Sequence, residues 1–173
     1  MEDEKLYRIL ELGIKETYKK GDLLLTEGAL ANKLFYIEKG LVRVFYLKDG
    51  KEVTDWFGVS GNFVTSIMGF YGEVRSTRNI EVLEDSVVYT IKKSEIEEAI
   101  DEDIELGKLY REVIINHLMR LEQRITALQF YTAAEKYDLL LNKNPYVIQR
   151  AARTHIASYL GISLETLSRM SQR

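Results

Sequence analysis

The chain has 173 residues, a net charge of −3 and no cysteine. This length supports one domain with a substantial core or two unequal domains. The absence of cysteine excludes disulfide bonds, thiolate zinc sites, cysteine-bound iron-sulfur clusters and a catalytic thiol. There is no apolar run of about 18 residues and no charged-then-apolar leader, so we expect a cytoplasmic protein with no membrane partner.

Residues 19–91 alternate short apolar segments with glycines, a pattern typical of an antiparallel β-barrel or β-roll. Segments rich in β-branched and aromatic residues predict strands at 34–37, 41–47 and 52–57. Asp49-Gly50 lies between the last two and is a favoured type I′ hairpin turn. The first half of the chain is therefore predicted to be an all-β module.

A second strand pair is predicted at 78–84 and 86–91, joined by a tight turn around residues 84–86. Directly afterwards, Ser94-Glu95-Ile96-Glu97 matches a capping box, the reciprocal pattern of hydrogen bonds that opens many helices. We therefore predict a short helix that begins at this motif.

From about Glu102 to Leu128 the hydrophobic period becomes that of an α-helix. Its apolar positions contain a heptad series, the pattern of a coiled-coil seam. The seam consists of Ile114, Leu118, Leu121, Ile125 and Leu128. We interpret it as a dimerisation surface, and the alternative is a helix buried inside a monomer. A second stripe, made of Leu106, Leu109 and Val113, is expected to pack on the β module.

Residues 153–173 have the layout of a helix-turn-helix. Ile156, Ala157 and Leu160 share one face of a first helix, and Leu167 and Met170 share one face of a second. Gly161 is placed to end the first helix, and Ser163 is placed to cap the second. The residues left facing outwards, as candidates for the DNA groove, are Ser163, Leu164, Glu165, Ser168 and Arg169. The alternative is an ordinary helical hairpin that buries its apolar residues.

Two further observations bear on a DNA-binding role for this end of the chain. From residue 133 onward six Lys or Arg residues stand against three Asp or Glu residues, a local charge of +3 that suits phosphate. Arg169 is suited to guanine and Glu165 to the amino group of cytosine, so together they can read a C·G step.

The arrangement resembles the Crp/Fnr family of bacterial transcription regulators over nearly the whole chain. The resemblance is carried by KKGDLLLTEG (19–28), LFYIEKGLVRV (34–44), DGKEV (49–53), Gly61-Asn62, Arg75-Ser76-Thr77, VLEDS (82–86) and IASYLGISLETLSR (156–169). It implies a homodimer with paired central helices, a β-roll that holds a small effector, and two recognition helices on a two-fold symmetric DNA operator. In this family the base-contacting positions fall on Leu164, Glu165 and Arg169, and Ser163 and Thr166 would face phosphate. Leu164, often arginine in the cyclic-AMP receptor branch, implies a different base preference.

The effector site departs from the pattern of the cyclic-nucleotide-binding members. Those members hold the ribose with a Gly-Glu pair, which is Gly61-Asn62 here, and Glu73 is a candidate substitute for the missing carboxylate. Arg75, Ser76 and Thr77 match the phosphate-binding part, and the alternative is an ordinary basic turn. The Thr-Ser pair that contacts adenine is replaced by Leu121-Glu122. We therefore expect an unknown small-molecule effector or none, and not cyclic AMP.

The sequence thus predicts an α+β protein with three parts. These are a β-roll effector-sensing domain (1–101), a dimerisation helix (102–130) and a helix-turn-helix domain without an evident β-wing (131–173). We predict a dimeric transcription regulator that binds double-stranded DNA, with RNA polymerase as a further candidate partner. The alternative is a cyclic-nucleotide-binding sensor module that acts through protein partners.

Catalysis and metal binding are not expected. No phosphate-cradling glycine-lysine loop and no nucleophile with a histidine-acid partner can be identified, so we do not expect an enzyme. His117 and His155 are isolated and have no third ligand, so we predict that they fill space or form single hydrogen bonds.

Overall fold

The computed structural model describes residues 3–171, which form an antiparallel β-roll followed by helices, as the predicted α+β class requires. The strands are β1 Ile14–Tyr18, β2 Leu23–Leu25, β3 Lys33–Lys39, β4 Leu41–Lys48, β5 Lys51–Val59, β6 Phe63–Val64, β7 Asn79–Val82 and β8 Ser86–Lys92. The helices are α1 Asp3–Leu10, α2 Ile67–Gly72, α3 Lys93–Glu102, α4 Ile104–Phe130, α5 Ala133–Lys143, α6 Pro145–Arg150, α7 Arg153–Leu160 and α8 Leu164–Met170.

The roll consists of two four-stranded antiparallel sheets with the orders β1-β8-β3-β6 and β2-β7-β4-β5. Apolar side chains from both sheets meet between them, among them Phe35, Ile37, Val42 and Ile80. The β4–β5 hairpin turns at Asp49 (φ 52°) and Gly50 (φ 72°), and two positive φ angles are what a type I′ turn requires. The hairpin prediction is therefore confirmed.

The predicted pairing of the strands at 78–84 and 86–91 is wrong. β7 pairs with β2 and β4 in one sheet, whereas β8 pairs with β1 and β3 in the other. The chain crosses from sheet to sheet between them, and the Ser86 hydroxyl donates to the Glu84 carbonyl at this crossing (2.6 Å). Short spacing in the sequence suggested a hairpin, but both strands find their partners far along the chain.

The predicted start of the helix after β8 also needs correction. Helix α3 begins at Lys93 with Lys92 as its N-cap residue, so Ser94 lies inside the first turn. Glu95, not Glu97, folds back to the cap and accepts from the Lys92 backbone N–H (3.4 Å). The helix exists as predicted, but strand β8 continues to Lys92 and fixes an earlier start.

Helix α4 runs along the roll, and its second apolar stripe packs there as predicted. Leu106 and Leu109 are buried against Leu34 and Ile91 of the roll, together with Ile9 of α1. Asp103 caps α4 by accepting from the backbone N–H groups of Glu105 (2.9 Å) and Leu106 (3.2 Å). Within residues 3–171, neither α4 nor another helix is long and apolar enough to cross a membrane.

The C-terminal helices share a core with the roll. Leu140, Ile156, Leu160 and Leu167 from α5, α7 and α8 are buried together with Leu41 and Phe57 of strands β4 and β5. Burial of apolar surface is the main stabilising term for such a contact. The C-terminal helices α5, α7 and α8 are therefore packed against the roll.

Candidate DNA interface and ligand cavities

Helices α7 and α8 lie where the sequence predicts a helix-turn-helix, and a three-residue turn joins them. Gly161 ends α7 in the left-handed conformation (φ 64°), which costs glycine little because it has no Cβ atom. The N–H of Ile162 donates to the Ala157 carbonyl (3.0 Å), so the last turn of α7 is closed. Ser163 then caps α8 by accepting from the Thr166 N–H (3.1 Å). These contacts end α7 and begin α8 within three residues.

The first turns of α8 present the predicted DNA-contacting residues to solvent in different degrees. Leu164 is 48% exposed, and Ser163, Glu165 and Arg169 are also exposed. Thr166 and Ser168 are half-buried, and the Thr166 hydroxyl lies 2.9 Å from that of Ser163. Because the hydroxyls of Ser163 and Thr166 are paired with each other, Glu165 and Arg169 are the polar side chains of α8 that extend furthest into solvent.

Glu165 and Arg169 form an ion pair on this outer surface. Glu165 Oε1 lies 4.0 Å from Arg169 Nη1, one helical turn away. Exposed pairs of this kind contribute little to stability because water screens them. Both side chains can therefore turn towards an incoming partner at small cost.

Helix α7 is attached to strand β5 by a polar contact that sequence reasoning missed. The backbone N–H of Thr54 donates to Ser158 Oγ (2.9 Å) across 104 residues of chain. Beside it, the rings of Phe57 and Tyr159 lie 5.3 Å apart, and the guanidinium of Arg124 stacks over Tyr159 at 3.9 Å. No local signal in the sequence encodes a contact between such distant segments.

A buried arginine lies under the start of α7. Arg43 Nε donates to Glu81 (2.6 Å), and its guanidinium also pairs with Glu52. His155 of α7 is half-buried nearby, and its Nδ1 has no hydrogen-bond partner among the described residues. Burial lowers the pKa of His155, Arg43 lowers it further, and Glu81 and Glu52 oppose this.

The second histidine, His117, packs against the indole of Trp56 with ring centres 5.8 Å apart. Burial lowers its pKa, and the neighbouring Arg120 adds to the effect, so the ring is neutral at pH 7. Across residues 3–171 no group of three or more His, Asp or Glu side chains is placed to hold a metal ion.

The predicted seam on α4 leaves large apolar side chains in contact with solvent. Leu118 is 63% exposed, and Ile114, Ile125 and Leu128 are also exposed, while Leu121 is half-buried. Contiguous apolar surface of this kind marks an interaction site in most proteins. The structure thus places the seam on the outside of the protomer.

The predicted effector-binding residues do not gather in one cavity. Glu73, a left-handed residue (φ 53°), forms an ion pair with Lys93 (2.8 Å), which lowers the pKa of Glu73. Arg75 Nη1 donates to the Gly28 carbonyl (2.7 Å), and Thr77 is exposed beside it. Ser76 is buried, and its hydroxyl donates to the Arg78 carbonyl (2.7 Å). These groups hold the loop before β7.

Asn62 lies apart from that loop and lines two neighbouring cavities. The first, here called the roll–helix cavity, has a volume of about 470 Å³ and lies between the roll and the middle of α4; Phe63, Tyr71 and Val113 are among its walls. The second, the junction cavity, has about 440 Å³ and lies where the roll, α4, α5 and α7 meet. Both have the size of small-molecule sites. Neither is lined by Glu73, Arg75, Ser76 or Thr77.

Solved structures with the same fold include several bacterial proteins. FixK2 from Bradyrhizobium japonicum matches with a TM-score of 0.79 and 23% identity over 92% of this chain and 83% of its own. The catabolite activator protein of Thermus thermophilus has a TM-score of 0.61 and 18% identity over 99% of this chain and 83% of its own. The c-di-GMP-responsive global regulator CLP of Xanthomonas campestris has a TM-score of 0.73 and 16% identity over 98% of this chain and 89% of its own.

Sequence comparison gives the family. Among curated proteins there is no significant match. The family model of the cyclic nucleotide-binding domain matches residues 15–103, which are more than half of the chain and include the roll from the second residue of β1 onward and helix α3. The chain therefore belongs to the cyclic nucleotide-binding domain family.

Proposed function

We propose that this protein is a dimeric transcription regulator of the Crp/Fnr type that binds a specific DNA operator, and not an enzyme. The observation that carries the proposal is the α7–α8 unit, with Gly161 at the turn, Ser163 as the cap and Glu165 and Arg169 exposed on the second helix. A recognition helix needs this combination of a rigid turn and free polar side chains near its N-terminal end.

Each of the six predicted residues is assigned a role on DNA. Glu165 and Arg169 would contact base edges, Leu164 would lie against a thymine methyl group, and Ser163 and Thr166 would approach phosphate. Ser168, which is half-buried in α8, would lie at the edge of the contact. The likeness to proteins described as a catabolite activator and a global regulator supports this assignment.

The exposed seam on α4 supports the proposed dimer. Helix α4 carries exposed apolar side chains in heptad register, namely Ile114, Leu118, Ile125 and Leu128. A second copy that covers them removes apolar surface from water, which stabilises the pair. Paired α4 helices would place two α8 helices on a two-fold axis. The operator is then expected to contain two half-sites about one helical turn apart.

We also propose that a small effector other than cyclic AMP acts on the roll, and the residues predicted for it are Asn62, Glu73, Arg75, Ser76 and Thr77. An amide stands at Asn62, where the cyclic-nucleotide-binding pattern has a carboxylate for the ribose, and this argues against cyclic AMP. Because Glu73 is paired with Lys93 and Arg75 donates to a backbone carbonyl, an effector would have to displace these contacts in order to use the two side chains. RNA polymerase is the natural partner for activation.

The second candidate function is a sensor module that acts through protein partners. It is favoured by the family match, which covers the roll but ends at residue 103, before the helix-turn-helix. Such a module has no use for exposed polar groups on α8, so the behaviour of Arg169 separates the two functions.

The test is the variant Arg169→Ala, measured against an operator and against random duplex at near-physiological salt. Loss of a bidentate contact to guanine costs about 1–3 kcal/mol, so operator affinity should fall about 5- to 150-fold while binding to random duplex stays nearly constant. Lys20→Ala, which removes one positive charge at an exposed residue of the roll, is the control. Equal losses on both duplexes would instead assign Arg169 to phosphate, and no loss would remove it from the interface.

A further inference from the structure

The junction cavity has an unusual charge for a protein with a net charge of −3. Its walls carry two arginines of α4, Arg120 and Arg124, and two lysines of α5, Lys136 and Lys143, and they include no Asp or Glu. Four cations around one cavity repel each other, and an anion between them offsets that repulsion. The charge of the walls therefore points to an anionic occupant.

The contacts of these cations show which of them are available. Arg124 donates to the Tyr159 carbonyl (3.1 Å), and Lys143 donates to Gln123. Within residues 3–171, the side chains of Arg120 and Lys136 have neither a hydrogen-bond nor an ion-pair partner. Two unpaired cations on different helices face the same space, as a pair that closes on a phosphate or carboxylate group would.

The remaining wall of the cavity is apolar and aromatic. Trp56 and Phe57 of β5 line it, with Leu140 and Leu160 behind them. Phe57, Leu140 and Leu160 are also part of the buried core shared by the roll and the helix-turn-helix. An inorganic ion would leave this apolar surface in contact with water, whereas an aromatic group would bury it and so stabilise the complex.

We propose that the junction cavity is a binding site for a small aromatic phosphate, whose anionic group pairs with Arg120 and Lys136 and whose ring packs on Trp56. The site is separate from the predicted effector residues Glu73, Arg75, Ser76 and Thr77, which do not line it. Because its walls come from the roll, α4, α5 and α7, an occupant ties the helix-turn-helix to the rest of the protomer.

The regulatory consequence rests on the proposed function. A ligand that bridges α4 and α5 stabilises the docked placement of α7 and α8, so its binding and operator binding are coupled through one equilibrium. By linkage, the operator changes the affinity for the ligand by the same factor as the ligand changes the affinity for the operator.

The chain offers a direct optical readout, because Trp56 is its one tryptophan and lines the cavity. We would titrate the full chain with phenyl phosphate, inorganic phosphate and benzyl alcohol and follow tryptophan emission. The expected result is saturable binding of phenyl phosphate with an affinity above that of either of the other two probes. Any other order of affinities overturns the proposal.

Variants locate the site. The double variant Arg120→Gln/Lys136→Gln should weaken phenyl phosphate binding about 100-fold, because it removes two charge-assisted hydrogen bonds. The control Arg111→Gln/Lys48→Gln makes the same charge change at exposed residues outside the cavity and should bind normally. Lys136 lines the junction cavity but not the roll–helix cavity, so Lys136→Gln alone should weaken binding if the site is correct. Unchanged binding by folded Lys136→Gln overturns the assignment.

The two proposals fail in different ways. A protein that binds phenyl phosphate at Trp56 but selects no operator retains the site and loses the proposed regulator function. A protein that selects an operator but shows no saturable change in emission retains the function and loses the site.

Discussion

Replacement of Leu118 by glutamate is predicted to separate the dimer while leaving the protomer folded. Leu118 is 63% exposed in the protomer, so its removal leaves little cavity in the core. In the proposed dimer the exposed part becomes buried, and at roughly 2 kcal/mol for a whole leucine side chain this is about 1.3 kcal/mol per protomer. The two copies together contribute about 2.5 kcal/mol, or about 70-fold in the dissociation constant.

Glutamate adds a further cost, because it would place two carboxylates against each other in an apolar seam. We therefore expect the dissociation constant of Leu118→Glu to rise at least about 100-fold, measured by sedimentation velocity over a concentration series. Leu47→Glu, which introduces the same charge at an exposed leucine of strand β4 and not on α4, is the control. A Leu118→Glu dimer as tight as the wild type, with a normal circular dichroism spectrum, would refute the assignment of the seam.

Three further changes test the helix-turn-helix and its surroundings. Ser163→Ala removes the cap of α8 and should cost about 1 kcal/mol in the free energy of unfolding, seen in urea denaturation, whereas Ser163→Asp should retain the cap. Leu167→Ala opens a cavity at a residue that is 2% exposed and should cost about 2–5 kcal/mol in the same assay. A loss below about 1 kcal/mol would be close to that of a surface substitution and would place Leu167 outside the core. Burial holds the pKa of His117 below its ordinary value of 6.5, so the unfolded chain binds the proton more tightly than the folded protein does. The free energy of unfolding should therefore fall as the pH drops below about 6.5. His117→Asn should lose that part of the pH dependence, and an unaltered profile would contradict the burial argument.

The sequence predicted well those features that depend on neighbouring residues. The Asp49-Gly50 turn needs two positive φ angles, and Gly161 and Ser163 end and begin helices through their own backbone and hydroxyl chemistry. The period of α4 likewise reports its buried stripe directly, since Leu106 and Leu109 recur on one helical face. For these features the physical cause lies within a few residues.

The features that sequence reasoning missed depend on distant partners. β7 and β8 are separated by three residues but belong to different sheets, because each pairs with strands elsewhere in the chain. The hydrogen bond between Thr54 and Ser158 joins residues 104 positions apart, and the junction cavity is likewise lined by Trp56 together with residues of α5 that lie far along the chain. No pattern in the sequence sets the four cations of this cavity, Arg120, Arg124, Lys136 and Lys143, apart from other charged residues of α4 and α5.

Selection of binding sites from a random duplex pool tests the central claim most directly. The purified protein would be used at near-physiological salt, with and without cyclic AMP, because affinity for DNA has meaning only at a stated salt concentration. The account predicts enrichment, without the nucleotide, of a two-fold symmetric site whose half-sites lie about one helical turn apart. Absence of any symmetric site under both conditions would contradict an operator-binding regulator, and a site enriched only with cyclic AMP would contradict our interpretation of Asn62.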